Sequence, residues 1–454
     1  MRFLVCLCFV LMVYTGSSVV FSKKYLNDKV NENIMQQRYQ SSVERGRAGL
    51  DALYEEGFSL RKKEELSSFF STGDERRLPK GFVISPMAPQ AASASGGMTV
   101  SSSGLSYKIE SYTEFDLTFI IGIVLSFLAL VLTFDSVSGD REEGTLRQIL
   151  SNTVSRPVVL VGKFVAVLLV LLITILLGSI LSTIIFQIQI GQDIIFLFPW
   201  ETLLTIPVSL VYLSIFISLG LWISASVARS STSLSLLLLM WITVVVLAPN
   251  IGGMLVQRFS PVTSQEEHNA RFQAIIGAAP MPLETAEFYQ GKGTEDQWRV
   301  VDQFETRQNE SFEQLITQRF NELTGQAEEA EFLNCISPYG AFKQVMERIA
   351  STGLGYHAEF FQASREYRTE LLQFIRDRDR HDPESKHHII IIPRLRAMSN
   401  KPVDPAIVPV FVPPSRHVSG QTIVIAVPWF GYLCFLSVLF FSLAFVSFVK
   451  MDVR

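Results

Sequence analysis

Charge is scarce in this chain. Lys, Arg, Asp and Glu make up 18% of its 454 residues, against about a quarter in a typical soluble protein. In six long runs it is absent altogether. Phe3–Phe21, Leu117–Phe134, Phe164–Phe186, Thr202–Val227, Ser233–Gln257 and Thr422–Val449 hold no Lys, Arg, Asp or Glu. Cysteine is also rare. Of the 4, Cys6, Cys8 and Cys434 lie in apolar runs and Cys335 stands alone in a polar region, so no disulfide framework is implied. The chain has no G-x-x-x-x-G-K-[ST] phosphate loop and no G-x-G-x-x-G after a strand, which excludes those nucleotide sites. The 6 histidines, His268, His357, His381, His387, His388 and His417, all fall between the fifth and sixth runs. "HDPESKHH" lacks H-E-x-x-H or zinc-ligand spacing and reads as a solvated turn, so neither catalytic nor metal residues are expected. A net charge of -4 gives no reason to expect a nucleic-acid partner.

What is present is apolar length. Hydrophobic residues make up 48% of the chain and the mean hydropathy is +0.29. A helix needs about 20 apolar residues to cross a hydrocarbon core. The expected fold class is therefore an all-α polytopic membrane protein, with six transmembrane helices and two large, mainly helical extracytoplasmic loops. Arg2 followed by an apolar core and "YTGSS" resembles a secretory leader, but the run continues to Phe21, a length that suits an uncleaved span. Pro207, Pro249 and Pro428 interrupt three of the runs, as neighbouring helices permit.

Orientation follows from basic residues in the short loops. Asp135–Lys163 carries Arg141, Arg147, Arg156 and Lys163, the next loop on that side holds Arg229, and Lys450 and Arg454 follow the last run. "QIQIGQDIIFLFPWE" on the opposite face has no Lys or Arg. Both termini and residues 135–163 are expected in the cytoplasm, and residues 22–116 and 258–421 outside. Tyr25–Phe70 reads as helix, with Val43, Leu50, Leu53 and Leu60 on a helical period. A Ser/Gly/Ala linker over residues 87–104 follows. In the second outer loop "EDQWRVVDQFETRQNESFEQLITQRFNEL" and "YHAEFFQASREYRTELLQFIRDRDR" read as helices. Ser337 and Pro338 suit an N-cap and first helical residue, while "HHIIIIPRLRAM" and "AIVPVFVPPS" suit strands or extended edges rather than helix.

One short segment breaks the spanning pattern. "DSVSGDREEGTLRQILSNTVSR", Asp135 to Arg156, packs seven charged side chains between two uncharged runs. Asp140 with Glu143 three residues on has a capping-box spacing. Leu146, Ile149 and Leu150 fall on one helical face, and Arg141, Glu142 and Arg147 fall elsewhere. Gly144 costs about 1 kcal/mol inside a helix, so it marks a close backbone approach or a break. Such a helix either lies in the lipid headgroups or offers a docking surface to a cytoplasmic protein.

This segment resembles the cytoplasmic stretch after the second span of type-2 ABC transporter permeases, where an E-x-G-T-L … L-L-S … P-V-S-R … K-F pattern recurs. The matching positions are Glu142, Gly144, Thr145, Leu146, Ile149, Leu150, Ser151, Val154, Ser155, Arg156, Lys163 and Phe164, with Thr153 standing where the family often has Pro. "VLAPNIGG", "SPYGAFKQVMERIASTG", "YHAEFF" and the terminal "DVR" are similar to a branch with a large helical insert between spans five and six. Related permeases usually carry a basic amphipathic helix before the first span, whereas Met1 and Arg2 alone precede it here.

The resemblance implies a non-catalytic exporter subunit in the plasma (inner) membrane. Its partners would be the lipid bilayer, a second permease subunit and a separate ABC ATPase, which would hold ATP and magnesium; this chain would carry no cofactor. Asp140, Arg141, Glu142, Glu143, Gly144, Thr145, Leu146, Ile149 and Leu150 would dock on that ATPase. Leu146, Ile149 and Leu150 would form the buried face, with Arg141, Glu142 and Glu143 at the rim. The competing expectation is a membrane-anchored extracytoplasmic binding or sensor protein without transport activity, which a cytoplasmic docking motif argues against.

Overall fold

Within lipid, an apolar segment must satisfy its peptide groups internally, which makes helix the outcome for long uncharged runs. The computed structural model describes residues 2–63, 66–72, 81–87, 116–151, 155–191, 203–277, 294–388, 398–414 and 420–451. Most of the 87–104 linker and of the loop at 187–201 lies outside these ranges, as do the apolar run at 389–397, Thr153 and Val154. Among the described residues six helices are long and apolar enough to cross a membrane, and the chain is an all-α polytopic membrane protein.

The first, α1 (Arg2–Glu44), continues far beyond Phe21. A short helix α2 (Leu50–Glu55) and strand β1 (Phe58–Arg61) follow, and β1 pairs antiparallel with β2 (Gly81–Ile84). The single helix expected over Tyr25–Phe70 is therefore corrected. The chain turns at Gly46 and Gly49, where a Cβ on Gly49 would press on Asp51 Oδ1 and the Asn400 carbonyl oxygen.

The second span, α3, starts at Leu117–Phe119, widens to a π-helical stretch at Ile120–Leu125 and ends with Ser126–Thr133. Short helices α4 (Ser138–Glu142) and α5 (Thr145–Ser151) connect it to the third span, α6 (Arg156–Ile190). The fourth, α7 (Thr205–Ser226), is the most enclosed of the six. The fifth, α8, runs through Ser230–Trp241, a second π stretch at Ile242–Leu247, and Ala248–Phe259. Pro249 explains the second widening, because it lacks the N–H that would reach back to Val245.

Beyond it lie α9 (Gln265–Gly277), α10 (Glu295–Asn334), α11 (Pro338–Ala350) and α12 (Leu354–Arg380), and α13 (Gly420–Lys450) is the sixth span. Thr294 and Gln297 form a capping box at the start of α10. Pro405–Ile407 is a single 3-10 turn, so the described part of "AIVPVFVPPS" is not a strand in a sheet.

Small residues let the spans approach. A Cβ on Gly178 of α6 would lie 2.7 Å from the Tyr14 ring of α1, and one on Gly220 of α7 would overlap Thr133 of α3. Ser18 donates to Ser182 at 2.8 Å, and Ser214 and Ser437 join α7 to α13 at 2.6 Å. At the far end both large loops share one core. Leu50, Leu53, Phe58, Leu60 and Phe82 of the first pack with Phe320, Phe360, Phe361, Leu371 and Ile375 of the second.

The capped helix expected at Ser337–Pro338 is present, since Ser337 Oγ accepts from the Tyr339 N–H at 3.2 Å. Its setting differs from the expected outer loop. α11 is a wedge between spans, with Phe342 stacked on Tyr212 of α7 at 4.3 Å and Tyr339 lying over Gly122 of α3. Its residues are buried on nearly every side, and Tyr339, Ala341, Phe342, Val345 and Met346 belong to the core of the spans.

Candidate functional site

The charged segment sits at the end of the bundle opposite the large domain. The proposed capping box is absent there. Val137, not Asp140, precedes the first residue of α4, and no side chain caps it. Asp140 lies within the first turn instead. Its Oδ2 accepts from Lys163 Nζ of α6 at 2.5 Å, and the same ammonium donates to the Ser136 carbonyl at 2.5 Å. Gly144 does make the break, with φ +74, a left-handed conformation that glycine adopts without the steric cost of a side chain. Thr145 Oγ1 bridges that break by donating to the Asp140 carbonyl at 3.2 Å.

The apolar face is turned inward. Leu146 is 1% exposed and belongs to the core of the spans, as does Val137. Leu146 therefore anchors the segment to its own bundle and is unavailable to a docked protein in this conformation. Ile149 is half-buried, and of Leu150 only the backbone is described. Glu142, Glu143, Gly144, Arg147 and Gln148 are exposed, and Arg141 is partly so. The surface offered outward is thus polar, with Ile149 its one described, partly exposed hydrophobe.

Three spans hold this segment by polar bonds, and α6 joins it to a fourth. Ser224 near the end of α7 accepts from the Val137 and Ser138 N–H groups, both at 3.0 Å. Glu142 accepts from the Ser230 hydroxyl at 2.6 Å and from the Ser230 N–H at 3.2 Å, placing a carboxylate at the N-terminus of α8. That position suits negative charge, because the first helical N–H groups lack intrahelical partners. Lys163 ties in α6. Arg156, at the start of α6, donates to the Val449 carbonyl at 2.7 Å and the Met451 carbonyl at 3.1 Å at the end of α13. Arg156 and Lys163 stood out in the sequence as inside-facing basic residues. Ser224 and Ser230 gave no signal, because a serine in or beside a span has many bland uses.

The opposite end of the spans has a second polar arrangement. Each π stretch exposes a carbonyl that finds a partner from another element. The Gly122 carbonyl accepts from the Tyr212 hydroxyl at 2.7 Å, and the Val244 carbonyl accepts from Ser337 Oγ at 2.6 Å. Trp241 Nε1 donates to Ser126 Oγ at 3.0 Å, linking the two π-bearing spans. A Cβ on Gly122 would overlap the Tyr339 ring, so α11 seats directly on the widened turn.

Six helical spans, a polar-tethered helix pair at one end and a wedge helix at the other make this a multi-pass membrane protein. The family described as ABC-2 family transporter protein matches residues 2–453, and the chain belongs to that family. No curated protein matches it. Membership makes the chain a permease subunit of an ABC transporter, with an ABC ATPase as the partner the family implies.

Proposed function

We propose that the chain is the membrane half of an exporter, non-catalytic itself, in which residues 138–151 receive the motion of a separate ATPase. The observation that carries this reading is the set of polar ties from that short segment to α6, α7 and α8, with Arg156 of α6 bonded in turn to α13. A displacement imposed on the segment would reach four of the six spans without any residue doing bond chemistry. ATP and magnesium belong to the ATPase partner. A second permease, identical or related, completes the pathway between two such halves. The segment and both termini face the cytoplasm of the plasma (inner) membrane, and the large domain faces outward.

Because Leu146 is committed to the internal core, the ATPase contact is assigned to Glu143, Arg147, Gln148 and the half-buried Ile149. Reversing charges at an interface sets like charges against each other, a penalty of roughly several kcal/mol. The test is a double charge reversal, Glu143→Lys with Arg147→Glu, in the tagged full chain purified from its native membranes. The ATPase should be lost while the chain still inserts and accumulates normally. Undiminished ATPase retention would remove this docking assignment.

A further inference from the structure

Beyond the membrane, α1, β1 and the irregular residues 408–413 enclose an open cleft of about 710 Å3. Small-molecule sites usually measure about 300–1,000 Å3. One stripe of α1 forms the floor. Glu32, Met35, Gln36, Tyr39, Gln40 and Val43 recur every three or four residues along that face, so the cleft follows the helix for roughly 16 Å.

The centre of the floor is fixed and apolar. Tyr39 Oη bonds Tyr367 Oη of α12 at 2.9 Å and accepts from the Phe411 N–H at 3.0 Å. Tyr367 Oη also donates to the Pro409 carbonyl at 3.1 Å. These bonds hold residues 409–411 against α1 and engage the Tyr39 hydroxyl. The tyrosine therefore offers the cleft its ring, with Met35 and Val43 on the same helix and Phe411 and Pro413 on the opposing wall.

The charges around this floor do not balance. Glu32 pairs with Lys29 at 3.0 Å and Glu44 with Arg47 at 2.8 Å, so both carboxylates are already neutralised. On β1, strand alternation sends Phe58 and Leu60 into the core and leaves Ser59 and Arg61 on the cleft side. Arg61 donates to Asp28 at 3.2 Å, which places it toward the membrane end of the cleft, roughly 10 Å beyond Phe21. Lys63, two residues on, also lines the cleft and is exposed. Among the described residues no carboxylate pairs with it. A bare anion would meet this ammonium but leave the apolar floor wet. A neutral apolar molecule would cover the floor but leave the ammonium unused. An anion carried on an apolar body matches both.

We propose that this cleft binds an amphipathic organic anion, with its carboxylate or phosphate head at Lys63 and Arg61 and its apolar body laid across Tyr39 toward Val43. Such binding needs neither an ATPase nor a second subunit, so it stands or falls apart from the docking of residues 138–151.

The test uses the full chain in its native membranes and photoactivatable probes of one chain length: a fatty acid, the lysophosphatidic acid and the primary amine. After irradiation and peptide mapping, labelling of residues 32–44 and 407–413 is divided by labelling of α6. The exposed Leu169, Ile173 and Ile180 of α6 meet any probe dissolved in the bilayer. At least one of the two acids should give a ratio about fivefold or more above the amine, and Lys63→Glu should lower that ratio by a similar factor. Gln36→Trp fills the cleft from α1 without replacing a charge and should lower it too, which covers the case in which Lys63→Glu disturbs the fold. Labelling by both acids no greater than by the amine, or a ratio unchanged in both variants, would overturn the site.

Discussion

Arg156 at the start of the third span closes the end of the sixth, its guanidinium donating to the Val449 and Met451 carbonyls at 2.7 and 3.1 Å. The last carbonyls of a helix have no partner within it, and a cation there also meets the negative end of the helix dipole. Arg156 and Val449 are nearly 300 positions apart in sequence, so this bond ties the start of α6 to the end of the final helix.

Replacing that guanidinium should loosen the far helix without unfolding the bundle. Charge-assisted hydrogen bonds contribute about 1.5–3 kcal/mol each when sheltered, and the partial exposure of Arg156 puts this pair toward the lower end. Arg156→Ala should speed amide hydrogen exchange over Phe445–Lys450 and leave exchange in α7 unchanged. Equal exchange in both proteins would mean that Arg156 does not hold the helix end.

At the opposite end, the fit of Tyr339 over Gly122 should be sensitive to a single methyl group. Gly122→Ala places a Cβ where the ring lies, and overpacking of this kind typically costs about 1–3 kcal/mol. Thermal unfolding of the purified chain in detergent should show the loss. Gly122→Ala combined with Tyr339→Ala should recover part of it, since the second change vacates the space. If the double variant is no more stable than the sum of two losses, the contact is not the cause.

The outer domain should be weakened by acid through one buried histidine. His357 packs against Phe82 and Phe320 with ring centroids 5.7 and 5.8 Å away, and burial, aided by the Lys62 ammonium, holds its pKa down at about 2. Unfolding restores the ordinary value near 6.5, so the unfolded chain binds the extra proton over that interval. Stability is therefore fully present above pH 6.5 and is lost as pH falls toward the folded value, by about 1.4 kcal/mol per pH unit. His357→Phe should flatten the unfolding temperature between pH 6.5 and pH 5. A slope unchanged by the substitution would assign the acid sensitivity elsewhere.

Much of this architecture could be read in advance because its signals are local. Six uncharged runs of sufficient length require six helices, and the helix-weakening Gly144 marks a close backbone approach or a break, of which the structure shows the break. The errors arose where burial is supplied by distant residues. Leu146 on an amphipathic turn reports that something apolar covers it; the turn alone cannot say whether that is another chain or the chain's own spans. α11 is only 13 residues long and carries Lys343, Glu347 and Arg348, so it lacks the pattern of a membrane segment and becomes one of the bundle's packed elements through Tyr212 and Gly122. β1 and β2 are four residues each, and their pairing across a long connection leaves no periodicity to detect. The two outer loops also share one core, so deleting the second would strip Phe58 and Phe82 of their neighbours.

The proposed orientation can be tested at exposed positions on either end of the bundle. Gln148 and Glu328 are both exposed, whereas Ser138 is buried and would stay unlabelled on either side. In intact cells, with any outer membrane permeabilised, Glu328→Cys should react with a membrane-impermeant thiol reagent and Gln148→Cys should react only after lysis. Labelling of Gln148→Cys before lysis would place the segment outside.

The central claim, that residues 138–151 transmit the action of an ATPase, is tested most directly by capturing the tagged full chain from its native membranes in mild detergent. Magnesium-dependent ATP hydrolysis is then measured in the captured material for the unaltered chain and for the Glu143→Lys/Arg147→Glu variant. The account predicts that the unaltered chain brings down an ATPase subunit with its activity, and that the variant reaches the same membrane level with both reduced at least about tenfold, the loss expected from removing about 1.4 kcal/mol or more of contact. Equal ATPase and equal hydrolysis in the two preparations would contradict it.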